Sequence, residues 1–189
     1  MFIEHEEKKI FISSVTKKDM ILGDKDIKEA LNKGEIKIDP LHEDTIRENG
    51  VDLRLGRDFI RLRNFRGDIY DSKSKTGEFQ KEETNEFVIE PNERILTVTE
   101  EDISISNNLV GFVNLRSSYA RVGIIIPPTI VDAGFSGKLT IELIGSEFPI
   151  RLHAGDRFLH VVFAKTISPV ENPYKGKYAG KATVETAKF

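Results

Sequence analysis

The sequence predicts a mainly β protein, a barrel or sandwich of short strands preceded by one short helix. Short apolar runs recur from residue 51 onwards, and glycine, asparagine, aspartate or proline separates most of them. A helical spacing of apolar residues is clear at one place only, between residues 24 and 34. With 189 residues, 39% of them hydrophobic, the chain can bury the core of a single domain.

The predicted helix has sequence signals at both of its ends. Asp24 is a candidate N-cap, because its carboxylate can accept a hydrogen bond from an early backbone amide. Ile27, Ala30 and Leu31 fall on one face of the helix, which can therefore pack against the strands. Gly34 provides the stop.

Period-two alternation predicts the first strand. Val51, Leu53 and Leu55 alternate with polar residues, and the strand is predicted to end at Gly56. The polar stretch 66–86 is rich in turn-forming residues and is predicted to be a long surface excursion or a mobile loop. Further strands are predicted at residues 87–89, 95–98, 109–113, 124–126, 139–143, 150–152 and 158–163.

Composition excludes several classes of protein. The 28 basic and 31 acidic side chains leave a net charge of −3, without the basic stripe of a nucleic-acid-binding surface. The absence of cysteine excludes disulfides and thiolate zinc sites, and the four histidines have no ligand spacing. The longest apolar run, residues 122–131, is too short to span a bilayer, and the N-terminus lacks a secretory signal. We therefore expect a cytoplasmic protein without a nucleic-acid or membrane partner.

Two short segments and one acidic residue carry the chemical signal. Residues 116–121 (RSSYAR) combine two guanidinium groups with two hydroxyls, which suits a polyphosphate, although a basic surface turn has the same composition. Residues 131–137 (VDAGFSG) place a carboxylate on a glycine-flanked turn beside an aromatic ring, which suits a sugar or an ordinary turn. Glu142 shares the polar face of its strand with Lys138 and Thr140, so it is either a general base or part of a solvated face.

The C-terminal residues form a cationic and aromatic tail. Tyr174, Lys175, Lys177 and Lys181 lie near the end of the chain, around Gly176 and Gly180. Two interpretations are open at this point. The tail is either a frayed basic terminus or a lid that closes over an anionic substrate.

These motifs, in this order, make the chain similar to the dCTP deaminases of the trimeric dUTPase superfamily. The resemblance runs from Met20 to about Lys181 and includes MILGDKDI, NGVDLRLG, LRSSYARVG, VDAGFSGKLTIEL, FPIRLHAGDRF and PYKGKYAGK. PPTIVDAGF followed by TIEL resembles the archaeal branch in particular. The resemblance implies a distorted β-barrel or jelly roll of the dUTPase type over residues 20–170. Residues 1–19 would then be an N-terminal extension, and residues 171–189 a tail that closes over the substrate.

The resemblance also implies a role for each motif residue. Glu142 stands ten positions after Asp132, where related dUTPases usually carry an aliphatic or small residue, and would be the catalytic base. Asp132 would accept a hydrogen bond from the deoxyribose 3′-hydroxyl, Phe135 would pack against the sugar, and Thr140 would contact the base. The other implied substrate-binding residues are Arg116, Ser117, Ser118, Tyr119, Ala120, Arg121, Tyr174, Lys177 and Lys181.

The activity that this family resemblance implies is hydrolytic deamination of dCTP to dUTP and ammonia without zinc, supplying dUMP and dTTP synthesis. Mg²⁺ would be bound through the triphosphate of the nucleotide, not by protein ligands. The expected assembly is a homotrimer with sites at subunit interfaces, dCTP and dUTP as ligands and dTTP as a possible inhibitor. Two alternatives remain: a bifunctional enzyme that continues to dUMP and pyrophosphate, and a non-catalytic nucleotide-binding trimer. Glu142 argues against a plain dUTPase.

One loop and two single residues depart from the family pattern. The loop from Gly123 to Asp132 is two residues shorter than in many bacterial relatives and contains two prolines. This loop normally carries the main-chain carbonyl that faces the catalytic water. Gly145 replaces an asparagine after the catalytic strand, and Lys181 replaces the glutamine of the KYxGQ tail. A lysine binds phosphate as a point charge, with a geometry that differs from that of an amide.

Overall fold

The computed structural model describes residues 21–73 and 78–188, so the predicted extension, residues 1–19, lies outside the described residues. Two α-helices, one 3-10 turn and eleven strands make up the described segments. The helices are α1 (Asp24–Lys33) and α2 (Ser117–Arg121), and the 3-10 turn is Leu62–Asn64. The strands are β1 (Ile36–Asp39), β2 (Ile46–Arg47), β3 (Gly50–Arg61), β4 (Lys81–Glu83), β5 (Glu86–Ile89), β6 (Arg94–Ile105), β7 (Leu109–Leu115), β8 (Thr129–Val131), β9 (Ser136–Ile144), β10 (Ile150–His153) and β11 (Arg157–Lys165).

Nine of these strands form one antiparallel sheet, which confirms the predicted mainly β class. The strand order is β1-β6-β3-β11-β7-β8, with β2 and β4 paired to β3 and β9 paired to β6. Strands β5 and β10 form a separate pair. The two longest strands, β3 and β6, change register along their length, and such irregularities bend strands and increase their twist. The sheet is therefore curled.

Gly56 lies inside β3 and does not end it. The strand was predicted to stop at this glycine, but it continues to Arg61. A Cβ atom at Gly56 would lie 2.8 Å from the carbonyl oxygen of Val98 on β6. The glycine is therefore needed for the close approach of two backbones, a role that glycines also have inside strands.

The predicted helix is confirmed, with a correction at its start. Gly23 is the N-cap residue and Asp24 is the first helical residue. The Asp26 carboxylate accepts a hydrogen bond of 3.2 Å from the Gly23 amide, which satisfies one of the unpaired donors at the helix start. Gly34 ends the helix in the left-handed conformation (φ 71°), and Ile27 is fully buried.

Residues 124–126 do not form the predicted strand. Ile125 makes only an isolated bridge, to Ile144 at the end of β9. Gly123 turns the chain with φ 87°, and the two prolines that follow have no amide hydrogen to donate to a ladder. The result is an irregular segment that runs beside the last residues of β9. A second helix, α2, precedes this segment and was not predicted.

The polar stretch 66–86 contains ordered structure that its composition does not predict. Strand β4 lies within it, and β5 begins at its last residue, Glu86. Three aromatic rings pack together with centroids 5.3 to 5.9 Å apart: that of Phe65, just before the stretch, and those of Tyr70 and Phe79 within it. A local aromatic cluster therefore supports this part of the loop.

The core fills the inner side of the sheet. Its largest fully buried side chains include Phe59, Phe158 and Phe163. The rings of Phe59 and Phe87 stack with centroids 4.4 Å apart, which joins β5 to the main sheet. Neither helix of the described segments has the length and apolar character needed to cross a membrane.

Candidate active site

An open cavity of about 480 Å³ lies between β9, the turn that follows β8, and the C-terminal tail. Five of the predicted site residues line it: Asp132, Phe135, Thr140, Tyr174 and Lys181. Segments far apart in the sequence thus meet in one place. The cavity has the size of a site for a small organic ligand.

Strand β9 supplies one wall of this cavity. Leu139, Ile141 and Leu143 are buried at 8%, 3% and 2% exposure, so the predicted alternation is confirmed. The opposite face presents Thr140, which lines the cavity, and then Glu142. Glu142 follows Thr140 on this polar face, but it does not itself line the cavity within its own chain.

Glu142 is half-buried and paired with one cation. Its Oε1 atom lies 3.1 Å from Nη1 of Arg94, at the start of β6. The irregular segment after α2 passes close by, because the Ile125 amide donates a hydrogen bond of 3.1 Å to the Ile144 carbonyl. Backbone groups of the shortened loop therefore lie near the end of the strand that carries Glu142.

Gly145, one of the departures from the family pattern, has a local structural reason. Its amide donates a 2.8 Å hydrogen bond to the Glu93 carbonyl. A Cβ atom at this position would collide with the carbonyl oxygen of Glu90, which is backbone and cannot move aside as a side chain does. The turn before β6 packs so closely against residue 145 that only glycine fits there.

The aspartate turn is held in shape by a glycine and by the tail. The Phe135 amide donates a 3.0 Å hydrogen bond to the Asp132 carbonyl, and Gly134 has φ 86°. Phe135 is 8% exposed, and its ring lies 5.6 Å from that of Tyr174. The Asp132 side chain is exposed at the cavity wall, so its carboxylate can accept a hydrogen bond from a ligand.

The tail is docked on the barrel through backbone hydrogen bonds. The Tyr174 amide donates to the Ala133 carbonyl at 2.8 Å, and the Gly180 amide donates to the Ser136 carbonyl at 2.7 Å. Lys181 accepts from the Lys138 amide at 3.0 Å. A tail bonded in this way to the aspartate turn and to β9 is not a frayed terminus.

The residues after Lys181 extend this docking. Val184 is 2% exposed and packs against Ile60 and Val98 in a small second apolar cluster. The amide of Glu185 donates a 3.2 Å hydrogen bond to Oγ1 of Thr140. The end of the chain thus helps to build the cavity, which Glu185, Thr186 and Ala187 line.

Replacement of Val184 by aspartate is expected to release the tail while the barrel stays folded. Burying an unpaired carboxylate destabilises the folded state by ~3 kcal/mol, and undocking of the tail avoids that cost. Limited trypsin digestion followed by mass spectrometry should then show faster cleavage at Lys177 and Lys181. Ala182→Asp is the matched control, because Ala182 is exposed in the same segment. Equal cleavage rates in wild type and Val184→Asp would show that Val184 does not anchor the tail.

The RSSYAR run (residues 116–121) forms the start and body of α2, away from the cavity lining. Ser117, Ser118, Ala120 and Arg121 are exposed, and none of the six residues lines the cavity of its own chain. Tyr119 packs against the core, where burial and the nearby Asp156 carboxylate raise its pKa to about 12. The described chain therefore does not bring these guanidinium groups to the cavity.

Arg116 is held by a buried acidic residue that the sequence analysis missed. The side chain of Asp52 is 3% exposed. Its Oδ2 atom lies 3.1 Å from Nε of Arg116 and 3.5 Å from Nη1 of Arg157, and its Oδ1 atom lies 2.9 Å from Nδ1 of His160. The alternation in β3 places Asp52 on a polar face, but that face is covered. The available signal was the presence of Arg157 and His160 in β11, because His160 stands opposite Asp52 in the register.

One group of side chains in the described residues has the spacing of metal ligands: His42, Glu100 and Glu101. The histidines show no such spacing in the sequence, and the fold brings His42 Nε2 to 3.7 Å from Glu100 Oε1. Burial raises the pKa of Glu101, and its carboxylate is engaged by the backbone amide of Arg54 at 2.8 Å. This group does not line the cavity.

Lys177 does not line the cavity described above. Its Nζ atom donates to the Lys188 carbonyl at 3.0 Å. It lies on a second groove with Tyr70, Phe79 and Thr186. The structure thus brings Tyr174 and Lys181 to the cavity and leaves Lys177 beside it.

Comparison with known proteins identifies the family. A family model described as dCTP deaminase-like matches residues 21–166, most of the chain. The chain belongs to the dCTP deaminase-like family. A dCTP deaminase of Metallosphaera sedula is 52% identical over 170 residues, which cover 90% of this chain and 99% of that protein. A probable deoxyuridine 5′-triphosphate nucleotidohydrolase of Sulfolobus islandicus rod-shaped virus 1 is 50% identical, covering 89% of this chain and 99% of its own.

The fold agrees with this family. The crystal structure of a 2′-deoxycytidine 5′-triphosphate deaminase from Agrobacterium tumefaciens superposes with a TM-score of 0.64 at 22% identity. The match covers 78% of this chain and 49% of that chain, so this chain spans about half the length of its structural relative. The predicted mainly β fold is confirmed, and this dCTP deaminase shares it.

Proposed function

We propose that this member of the dCTP deaminase-like family hydrolyses dCTP to dUTP and ammonia. The observation that carries the proposal is Glu142, an acidic residue on the polar face of β9, beside the cavity, in a chain 52% identical to a dCTP deaminase. Thr140, two residues earlier on that face, lines the cavity. The chain has no cysteine for a thiolate zinc site, so the proposed reaction does not use zinc held in this way to activate water. The carboxylate of Glu142 is the proposed proton acceptor.

The proposed role of Glu142 is to move protons at C4 of cytosine. One carboxylate oxygen takes a proton from water while the water oxygen bonds to C4, which becomes tetrahedral. The carboxylate passes that proton to the ring at N3. The remaining hydroxyl proton then moves to the amino nitrogen, the C4–N bond breaks and ammonia leaves. One water is consumed, and the C4 carbonyl of uracil remains.

The proposed nucleotide contacts follow the cavity wall. The exposed Asp132 carboxylate accepts a hydrogen bond from the 3′-hydroxyl of the sugar, and Phe135 provides the flat apolar surface beside it. Lys181 offers a positive charge for the phosphates. The backbone bonds between the tail and the aspartate turn support these residues in one arrangement.

We also propose a homotrimer with sites between subunits. Phe112 and Ile130 face each other across β7 and β8 and are 46% and 51% exposed, which favours an association surface. The RSSYAR run does not line the cavity of its own chain. A neighbouring subunit would supply Arg116, Ser117, Ser118 and Arg121 to the triphosphate and the base.

Magnesium would arrive with the nucleotide in this proposal. Mg²⁺ keeps several waters and is commonly bound through substrate phosphates together with one or two carboxylates. Asp132 and Glu185 are the carboxylates at the described cavity wall, and Glu185 is already paired with Lys188. Asp132 and Glu185 therefore fit a metal ion that is held mainly by triphosphate oxygens. When bound, such an ion would neutralise part of the phosphate charge.

A product assay tests the proposed function. The protein is incubated with dCTP and Mg²⁺, the nucleotides are separated by ion-exchange chromatography, and ammonia is measured in parallel. We expect dUTP and ammonia in equal amounts. Unchanged dCTP in the presence of measurable dCTP binding would support the non-catalytic trimer and overturn the proposal.

A second candidate function is supported by one comparison. The viral relative named a probable deoxyuridine 5′-triphosphate nucleotidohydrolase is about as similar to this chain as the deaminases are. A bifunctional enzyme would carry dUTP on to dUMP and pyrophosphate, with Asp132 orienting a water near the α-phosphorus. Accumulation of dUMP and pyrophosphate in the same assay would favour this second function.

A further inference from the structure

The carboxylate of Glu142 has an asymmetric environment. Arg94 and Glu142 are diagonal neighbours on adjacent antiparallel strands, since Arg94 stands opposite Ile144 and Glu142 stands opposite Leu96. Nη1 of Arg94 donates to Oε1 of Glu142 at 3.1 Å. Among the residues that the structure describes, Oε2 of Glu142 has neither a hydrogen-bond nor an ion-pair partner.

We propose that Arg94 is a positioning residue for the reaction. It holds Oε1 of Glu142 and thereby leaves Oε2 as the oxygen that accepts the proton from water. The inference rests on the proposed function, because it assumes that Glu142 is the base. Arg94 and Glu142 belong to the same chain, so the pair does not depend on a neighbouring subunit.

The high exposure of the Arg94 side chain distinguishes a positioning role from a role in stability. The Arg94 side chain is 60% exposed, and ion pairs at such sites contribute little to stability. Loss of Arg94 should therefore leave folding almost unchanged. The reaction is more sensitive, because a general base must be held within hydrogen-bond distance of the proton that it takes, and small misplacements are costly.

The chain offers a matched control for this pair. Nη1 of Arg151 lies 2.8 Å from Oε2 of Glu86, and the two side chains are 58% and 55% exposed. This pair also joins adjacent strands, β10 and β5, and neither residue lines the cavity. Replacing Arg151 by alanine thus removes a similar surface ion pair without touching the candidate site.

The experiment compares Arg94→Ala, Arg94→Lys and Arg151→Ala by kcat, KM and Tm, with Glu142→Gln measured alongside. For Arg94→Ala we expect kcat for deamination to fall roughly 10- to 100-fold, with little change in KM and an unchanged Tm. Arg94→Lys keeps a positive charge with different geometry and should recover part of the loss. Arg151→Ala should match wild type.

Three results would overturn the inference. The first is a kcat of Arg94→Ala equal to that of wild type. The second is a fall in kcat that is accompanied by a clear fall in Tm. The third is a kcat of Arg94→Lys no higher than that of Arg94→Ala. Failure of the proposed function has a different signature, because wild-type protein would then release no ammonia. Wild-type deamination that Glu142→Gln abolishes and Arg94→Ala preserves refutes the role of Arg94 alone.

Discussion

Glu142→Gln should abolish ammonia release from dCTP while dCTP binding persists. A positioned general base typically contributes about 10²–10⁴ in rate, and an amide of nearly the same shape cannot accept the proton. The glutamine Oε1 can still accept the hydrogen bond from Arg94, which lies 3.1 Å from Oε1 of the native glutamate. The substitution therefore removes proton transfer and retains most of the local geometry.

Two measurements make this prediction specific. Ammonia release gives the turnover rate, and calorimetric titration with dCTP and Mg²⁺ gives the affinity. Glu147→Gln is the matched control, because Glu147 is exposed just beyond the end of the same strand and should show normal turnover. If Glu142→Gln turned over dCTP at a rate near that of wild type, Glu142 would not be the base.

Asp52→Ala should be strongly destabilising. The substitution removes the carboxylate between Arg116, Arg157 and His160 and leaves two guanidinium groups without their buried counter-charge. Breaking a buried ion pair in this way typically costs ~3 kcal/mol or more, and the partial exposure of both arginines places our expectation at the low end. Arg116 would also lose its fixed orientation, so affinity for the triphosphate should fall.

Urea unfolding at a fixed protomer concentration measures the change, since the stability of an oligomer depends on concentration. Glu86→Ala serves as the control. Its carboxylate is 55% exposed and pairs with Arg151, so we expect a loss below ~1 kcal/mol. A free energy of unfolding of Asp52→Ala equal to that of Glu86→Ala would contradict a stabilising role for the buried network.

The best sequence predictions were those that depend on local periodicity and on turn chemistry. Gly34 ends the first helix because a residue without Cβ enters the left-handed conformation readily. The alternation of Leu139, Ile141 and Leu143 predicted correctly which face of β9 is buried and hence which face carries Glu142. Both signals are complete within a few neighbouring residues.

Two predictions were wrong and one buried residue was missed, each for a different physical reason. Gly56 looked like a strand terminator, but its function is to admit the Val98 carbonyl of a neighbouring strand. Residues 124–126 have the apolar character of a strand, but the glycine and prolines around them permit only an isolated bridge. Asp52 was not singled out in the sequence, and it is buried with guanidinium partners from β11 and from the residue before α2.

Local sequence was thus sufficient for the fold class, the C-terminal end of α1, the inward face of β9 and the motifs that resemble a nucleotide site. The burial of Asp52, the docking of Val184 and the pairing of Arg94 with Glu142 emerged only in the folded chain. The reason is physical. Alternation and turn preference act over a few residues, whereas desolvation and ion pairing depend on which strands become neighbours. Residues more than a hundred positions apart, such as Asp52 and His160, meet only when the sheet is complete.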